Sequence, residues 1–333
     1  MSEAMAEITF REAIRDALRE EMLRDERVFI MGEDVGIYGG AYQATKGLWE
    51  EFGDERVRDT AISEAAIAGA ATGAAMAGMR PVAEIMYVDF MTLAMDQFVN
   101  QAAKNRYMFG GKTTVPMVLR TEGGAGRCIA AHHSQSLESW FTHAPGVFVV
   151  MPSTPYDAKG LLKTSIRDDN PILFIEHKML YGEKGEVPEE EYLIPLGEAV
   201  VRRPGEDVTI VSYSRMALRA EEAGRMLADE GVSAEVIDLR CLKPLDIETV
   251  LASVRKTGRL VVASEGYKNT NFVCEIVARV QEFAFDDLDA PIQRVCAANV
   301  PVPMSPVLED EAIPTGANIA AAARRALEGV AVA

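Results

Sequence analysis

One carboxylate and one pair of adjacent histidines have settings in this chain that invite chemistry. Glu64 follows Ile62-Ser63 and opens a run of small residues, Ala65 to Met79, that closes at Arg80-Pro81. Ser63 is a good N-cap and the run is rich in strong helix formers, so Glu64 falls in a first helical turn. There it could simply complement the helix dipole, a contribution of ~0.3–1 kcal/mol at an exposed end. A chemical role asks for more: a dry pocket, in which burial raises the carboxyl pKa and makes it a useful proton holder. Gly69 and Gly73, one turn apart beside Ala70 and Ala74, let a neighbouring backbone approach the helix closely. The segment is too short and interrupted to span a bilayer, so a close helix pair is expected, which in an interface would hold Glu64 rigidly against another chain.

The second constellation is Ala131-His132-His133-Ser134-Gln135-Ser136, just after Gly123-Gly124-Ala125-Gly126. An imidazole titrates near neutrality and can give or take a proton as bonds change. A lone histidine is usually structural, but the upstream glycines predict a mobile loop, and Ser134 and Gln135 supply polar neighbours. The glycine run itself is no nucleotide fingerprint, lacking both the GxGxxG order after a first strand and a Walker lysine. His143 and His177 read as structural, because no third ligand stands at metal spacing. Cys128, Cys241, Cys274 and Cys296 show no CxxC spacing and read as reduced, mostly buried thiols.

These residues need a scaffold, and the pattern supplies an alternating one. Thr9 with Glu12 forms a capping box before an apolar face of Phe10, Ala13, Ile14, Ala17 and Leu18. Strands are expected at 27–31, 80–88, 115–120, 147–151 and 171–176, with helices at 91–108 and 155–167. Gly32-Glu33-Asp34 and the glycines 36, 39 and 40 then form a loop at a strand C-terminus, where open α/β sheets bind ligands. Gly182 to about Gly197 reads as a polar connector whose stretch from Glu186 to Glu191 is solvated. Beyond it strands at 208–212, 234–238 and 259–263 alternate with helices at 218–230 and 247–256. The fold class is therefore α/β with two doubly wound domains, residues 1–191 and 207–333, joined by a linker at 192–206.

Bulk properties narrow the functions. A chain of 333 residues with 48% hydrophobic content can bury two ordinary cores. Its net charge of −17 argues against nucleic-acid or anionic-membrane surfaces, which need clustered Lys and Arg, and suits solubility or a basic protein partner. Met1-Ser2-Glu3-Ala4 has neither a basic n-region nor an apolar h-region, so the cytoplasm is the default compartment.

Taken in order, Gly32-Glu33-Asp34-Val35, Asp59-Thr60-Ala61-Ile62-Ser63-Glu64, Asp96-Gln97, His133-Ser134-Gln135-Ser136, Pro152 through Leu162 and Ile166-Arg167-Asp168 resemble a known family. It is the beta subunit of the thiamine-diphosphate decarboxylase component of 2-oxo acid dehydrogenase complexes, and the likeness runs along nearly the whole chain. The resemblance implies a transketolase-like pyrimidine-binding domain followed by a transketolase C-terminal domain. It implies that Glu64 hydrogen-bonds a ring nitrogen of the cofactor's aminopyrimidine, that Phe90 stacks on that ring, and that Ile62 and Met86 form apolar walls. It implies that His133 assists acyl transfer to the lipoyl arm, although the position before it, commonly glutamine in the family, is His132 here. A monovalent cation, K+, is implied at Met117, Ser165, Ile166, Asp168 and Asn170; without the family, Asp168-Asp169-Asn170-Pro171 is a helix-terminating turn.

What is missing also counts. The family of thiamine-diphosphate enzymes holds Mg2+ and diphosphate at a Gly-Asp-Gly segment, and this sequence has none. An alpha subunit is therefore expected to supply Mg2+ and the diphosphate contacts, in an α2β2 heterotetramer that shares thiamine diphosphate between subunits. A lipoyl-bearing acyltransferase core is expected to dock on the C-terminal domain, through acidic residues such as Glu309, Asp310 and Glu311. Two function classes compete: a catalytic subunit, and a non-catalytic assembly module, which would have no reason to carry both Glu64 and His133. Residues 176–181 and 152–162 look more like pyruvate and acetoin enzymes than branched-chain ones, with pyruvate first. Residues 266–272 depart from the glycine-rich version common in the family.

Overall fold

The computed structural model describes residues 4–329. Met1-Ser2-Glu3, read above for a targeting signal, and residues 330–333 lie outside the described residues. The contacts divide the chain into two units: one runs up to Gly123 and resumes over Trp140–Leu196, and the other takes Gly124–Ser139 and everything from Gly197 onward.

In the first unit the strands Phe148–Val150, Ile172–His177, Val118–Gly123, Arg80–Ile85, Val28–Gly32 and Val57–Asp59 lie side by side in that order. Each neighbouring pair is parallel. Parallel strands are covered on both faces by their crossover helices, and the central ones here are accordingly buried along their length. Two helices show how local sequence starts and stops these elements. Phe10–Arg24 begins at a complete capping box between Thr9 and Glu12. Pro155–Arg167 begins at Thr154, whose hydroxyl accepts the amide of Asp157, with proline in the first turn.

Several expected boundaries move, each for a local reason. The strand expected to reach residue 88 stops at Ile85, because Tyr87 turns the chain at φ 68° and ψ 130°, a region that residues with a Cβ avoid. The helix expected over 91–108 is broken into a 3-10 turn at Val88–Thr92, a π-turn at Asp96–Ala102 and a short α-helix at Ala103–Met108. Within the π-turn the Asn100 side chain donates to Asp96 at 2.8 Å, the kind of local bond that competes with regular helix. The connector expected to be solvated contains a strand, Lys184–Pro188, paired antiparallel with Met5–Thr9. Its partner lies at the far end of the sequence, so charge outweighed pairing in the local reading.

The second unit has its own five-stranded sheet, ordered Gln293–Ala297, Leu260–Tyr267, Val208–Ser212, Ala234–Asp238 and Val200–Arg203. The first four are parallel and the last is an antiparallel edge strand. That edge strand falls inside the segment 192–206 expected as linker, so the chain re-enters regular structure earlier than its composition suggests. Helices Arg215–Asp229 and Gly316–Leu327 pack small side chains, among them Ala220, Ala223, Ala320 and Ala323, onto the sheet's Val208, Ile210, Val236 and Val261. No described helix is long and apolar enough to cross a membrane.

The first sheet is tied at its centre by charge. Arg120, 1% exposed, lies opposite Glu84 in register and grips Glu176 from the other neighbouring strand. Its guanidinium donates to both Glu176 oxygens at 2.6 and 2.8 Å and to Glu84 at 2.7 Å. The bidentate fork suits arginine and not lysine. Replacing Arg120 by Met leaves two carboxylates buried without their cation, and removing one partner of a buried pair costs about 3–5 kcal/mol. Urea unfolding of Arg120→Met should show that loss, and Arg120→Lys should recover only part of it; a near-normal midpoint for Arg120→Met would show that the network contributes nothing.

Candidate active site

The first unit gathers its candidate residues at the C-terminal ends of adjacent parallel strands. Gly32 is in register with Asp59 on one side and Glu84 on the other, and the Thr60 amide donates to the Gly32 carbonyl at 2.9 Å. Gly36 donates its amide to Asp59 at 2.6 Å, and a Cβ there would lie 2.7 Å from the same carboxylate, so glycine is required for this approach. Four residues after Thr60 the helix Glu64–Met76 begins, with Ser63 as N-cap. The Ser63 hydroxyl makes no capping bond, contrary to its usual role.

Glu64 is half-buried, and its carboxylate has neither a hydrogen bond nor an ion pair among the described residues. Its negative charge is felt next door: burial first, then Asp34 and Glu64, push the Glu33 carboxyl up. Ile62 is 72% exposed, whereas Met86 and Phe90 are half-buried. Of the two helix glycines, Gly69 faces the Gln97 side chain and Gly73 faces open space, so within this chain only the first meets a neighbour.

Phe90 is held by an aromatic relay that the sequence reading did not assign. It stands edge-on to Tyr87 at 6.2 Å, Tyr87 stands edge-on to Tyr42 at 6.5 Å, and Tyr42 stacks on Tyr181 at 4.7 Å. The Tyr181 hydroxyl donates to Glu176 at 2.6 Å, which roots the relay in the buried charge network. The Lys178 ammonium, fully buried, lies 4.9 Å from the centre of the Tyr87 ring. Charged residues two apart, Arg120 with Glu122 in the strand Val118–Gly123 and Glu176 with Lys178 at the end of Ile172–His177, were the available signal for this cluster.

The positions considered for a monovalent cation lie around the turn that follows the helix Pro155–Arg167. The Arg80 guanidinium already donates to the carbonyls of Ile166 and Asp168 at 3.0 and 2.9 Å, and Met117 O accepts the Ile172 amide. The Asp168 carboxylate accepts the Asn170 backbone and side-chain amides, both at 2.8 Å. Each carbonyl keeps a second lone pair, so this donor set could hold a large ion only beside the guanidinium.

The histidine pair belongs to the second unit. The Gly124 amide closes its loop on the Gln135 carbonyl at 3.0 Å. His133 is half-buried, and its ring centre lies 4.9 Å from that of the exposed His132. His132 rather than His133 lines a cavity of about 400 Å³, together with Gln135, Tyr267, Asn299, Val300 and Pro301. Below the loop Glu138 is fully buried and accepts the Tyr213 hydroxyl at 2.7 Å, and burial pushes its carboxyl up. The loop expected to be mobile is pinned: Ala125 donates to Glu265 at 2.5 Å, Gly126 to Glu309 at 2.8 Å and Cys128 to Glu309 at 2.9 Å. Glu309 is therefore not the exposed docking acid expected from the sequence, being 2% exposed and committed to backbone amides. Asp310 and Glu311 remain exposed.

Comparison with known proteins agrees with this layout. The family described as "Transketolase, pyrimidine binding domain" matches residues 6–184, and "Transketolase, C-terminal domain" matches residues 197–319. A split-gene transketolase, described as an inactive beta4 tetramer, superposes with a TM-score of 0.80 at 23% identity, covering 97% of this chain and 99% of that one. A transketolase mutant from Pichia stipitis reaches a TM-score of 0.69 at 14% identity, with 97% of this chain and 46% of that one covered. Fold and matches together define a two-domain transketolase-like protein. Relatives with closer sequences narrow the class. The acetoin:2,6-dichlorophenolindophenol oxidoreductase subunit beta of Cupriavidus necator is 53% identical over 95% of this chain and 96% of its own. The pyruvate dehydrogenase E1 component beta subunits of Dictyostelium discoideum and Homo sapiens are 47% and 45% identical, each over 97% of this chain and 92% of their own. The chain belongs to the family of E1 beta subunits of pyruvate and acetoin dehydrogenase complexes.

Glu122 allows a direct test of the charge cluster. It is buried, one of its oxygens has no hydrogen-bond partner, and burial, followed by Glu84 and Glu176, pushes it up to about 8 against the weaker pull of Lys178 and Arg120. A carboxyl raised on folding contributes stability that is complete below the unfolded pKa and is lost as pH rises through the folded one. Between about pH 4.5 and about pH 8 the native protein should therefore lose thermal stability relative to Glu122→Gln, which carries no titrating proton. Parallel profiles of the unfolding midpoint for the two proteins would show that Glu122 titrates elsewhere.

Proposed function

We propose that this chain is the pyrimidine-holding and acyl-transfer half of a thiamine-diphosphate-dependent 2-oxo acid dehydrogenase. The observation that carries the reading is the unpaired Glu64 carboxylate, presented at a helix N-terminus where three parallel strands end. When bound, the cofactor would supply the electron sink for breaking the carbon–carbon bond. This chain's share is to hold it and to move protons. Glu64 would keep a proton on the ring nitrogen facing it, with the ring seated on Phe90 between Ile62 and Met86. His133 would give or take the proton at sulfur as the acyl group passes to a lipoyl arm. An alpha subunit would bring Mg2+ and the diphosphate contacts in an α2β2 assembly, and a lipoyl-bearing acyltransferase core would dock on the C-terminal domain. The cytoplasm is the compartment in this reading. A monovalent cation beside Arg80 would brace the 165–170 turn and take no part in the chemistry.

Pyruvate is the first substrate in this reading. Acetoin is the second, favoured by the 53% identity to the Cupriavidus necator acetoin subunit. Both would deliver the same two-carbon acyl group. Assay of the reconstituted pair against pyruvate, acetoin and branched 2-oxo acids decides between them, and turnover of branched acids alone would refute both.

Calorimetry on the isolated chain should show no tight binding of thiamine diphosphate, because its diphosphate contacts belong to the partner. Micromolar or tighter affinity without the alpha subunit would sink the shared-site reading. The two catalytic assignments separate by partial reactions. Glu64→Gln in the reconstituted enzyme should impair every activity, including decarboxylation read with an artificial electron acceptor. His133→Ala should spare much of that acceptor activity and depress reductive acylation of the lipoyl domain by about 10²–10⁴-fold, the usual effect of losing an acid–base group. His132→Ala should be mild in both assays. Equal losses for His133→Ala would move its action to an earlier step.

A further inference from the structure

The histidine loop carries more strain than its glycines explain. Cys128 and Ala130 both have positive φ, 55° and 70°, although neither is glycine. Ala130 pairs that φ with a ψ of −177° immediately before the 3-10 turn Ala131–His133. Residues in such regions cost about 1–3 kcal/mol each and persist only where the surroundings over-determine them. The hydrogen bonds show what over-determines these. Three amides within four residues, those of Ala125, Gly126 and Cys128, point at two carboxylates supplied from remote sequence. Glu309 takes two of them, one on each oxygen, from 183 and 181 residues away.

Glu309 reaches this position because the seven-residue helix Pro306–Ala312 begins at Ser305 and turns its first-turn acid inward while Val307, Leu308, Asp310 and Glu311 stay exposed. A carboxylate accepting two backbone amides is a charge-assisted, geometrically demanding contact. It also bears on the thiol beside it: hydrogen bonding to Glu309 pushes the Cys128 thiol up. Glu309 also lines a small cavity with Arg215, Arg219 and Asp310.

We propose that Glu309 is a positioning residue for His133, its two oxygens fixing the amides of Gly126 and Cys128 so that the strained turn at Ala130 presents the histidine in one place. The proposal rests on the acyl-transfer reading of His133. It predicts that loss of the clamp leaves the first half of the reaction intact and misplaces only the group that serves the second.

The test uses the reconstituted αβ enzyme carrying Glu309→Gln, which keeps the side-chain shape but turns a donor toward one of the two amides. Glu309→Asp is a second, charge-preserving variant too short to reach both amides. Glu282→Gln, exposed on the helix Val273–Phe283 of the same unit, is the control for charge. Artificial-acceptor activity should stay within about twofold of the unmodified enzyme, reductive acylation of the lipoyl domain should fall by about tenfold or more, and the Gly126 and Cys128 amides should exchange hydrogen at least about tenfold faster. Glu282→Gln should change none of these. Unchanged exchange in both Glu309 variants would overturn the clamp. Faster exchange with normal acylation, or equal loss in both assays, would overturn the positioning role. A His133→Ala enzyme that acylates the lipoyl domain normally would refute the role read for His133 instead, and the exchange rates would still decide whether Glu309 holds the loop.

Discussion

The first unit depends on one buried cation. Arg120 sits in the middle strand of three and joins Glu84 and Glu176 on either side, close to where all three strands end. Charges are expensive to bury, and this cluster is tolerable only because fork geometry and extra hydrogen bonds, such as that from Tyr181, satisfy the carboxylates. Parallel ladders give register along the strands; the ion network fixes their ends relative to each other. The Glu84 strand leads into the loop that holds Phe90 and pairs with Val28–Gly32, which with Val57–Asp59 leads to Glu33 and Glu64, so the network supports the candidate site from one strand away.

Placement of Phe90 follows the same logic through aromatic rings. Tyr181 is anchored to Glu176, Tyr42 stacks on Tyr181, and Tyr87 meets both Tyr42 and Phe90 edge-on. Tyr87 could not keep its backbone conformation without compensation, and the buried Lys178 ammonium over its ring supplies an attraction that strengthens when desolvated. The surplus carboxyl of the cluster, Glu122, is accommodated by staying protonated near neutrality. In the second unit the corresponding device is the pair of carboxylates Glu265 and Glu309, which fold a glycine-rich segment into a single arrangement instead of leaving it loose.

Several residues changed meaning between sequence and structure because local composition and long-range partnership pull in different directions. Glu309 stands among acids at 309–311 and reads as part of a charged rim, yet it is the buried one of the three. Residues 184–188 read as solvated linker and form a strand, because Met5–Thr9 offers a partner. Segment 124–139 falls inside the expected first domain, residues 1–191, and joins the second unit by its contacts. In each case at least one partner lies more than a hundred residues away, beyond the reach of periodicity or capping rules.

The sequence by itself determined the alternation of strands and helices, the two α/β units, the helix starts at Thr9, Ser63 and Pro155, and the two constellations around Glu64 and His133. These follow from short-range physics: caps, apolar periodicity and glycine placement act within a few residues. It also carried the family, because motif order survives where single motifs would not suffice. Only tertiary structure decided that Arg120 has two carboxylate partners, that Glu122 keeps its proton, that Lys178 lies against Tyr87, and that Glu309 holds the histidine loop. Burial and long-range pairing set those outcomes, and a charge in a one-dimensional string shows neither how deeply it is buried nor which distant amide or guanidinium will meet it.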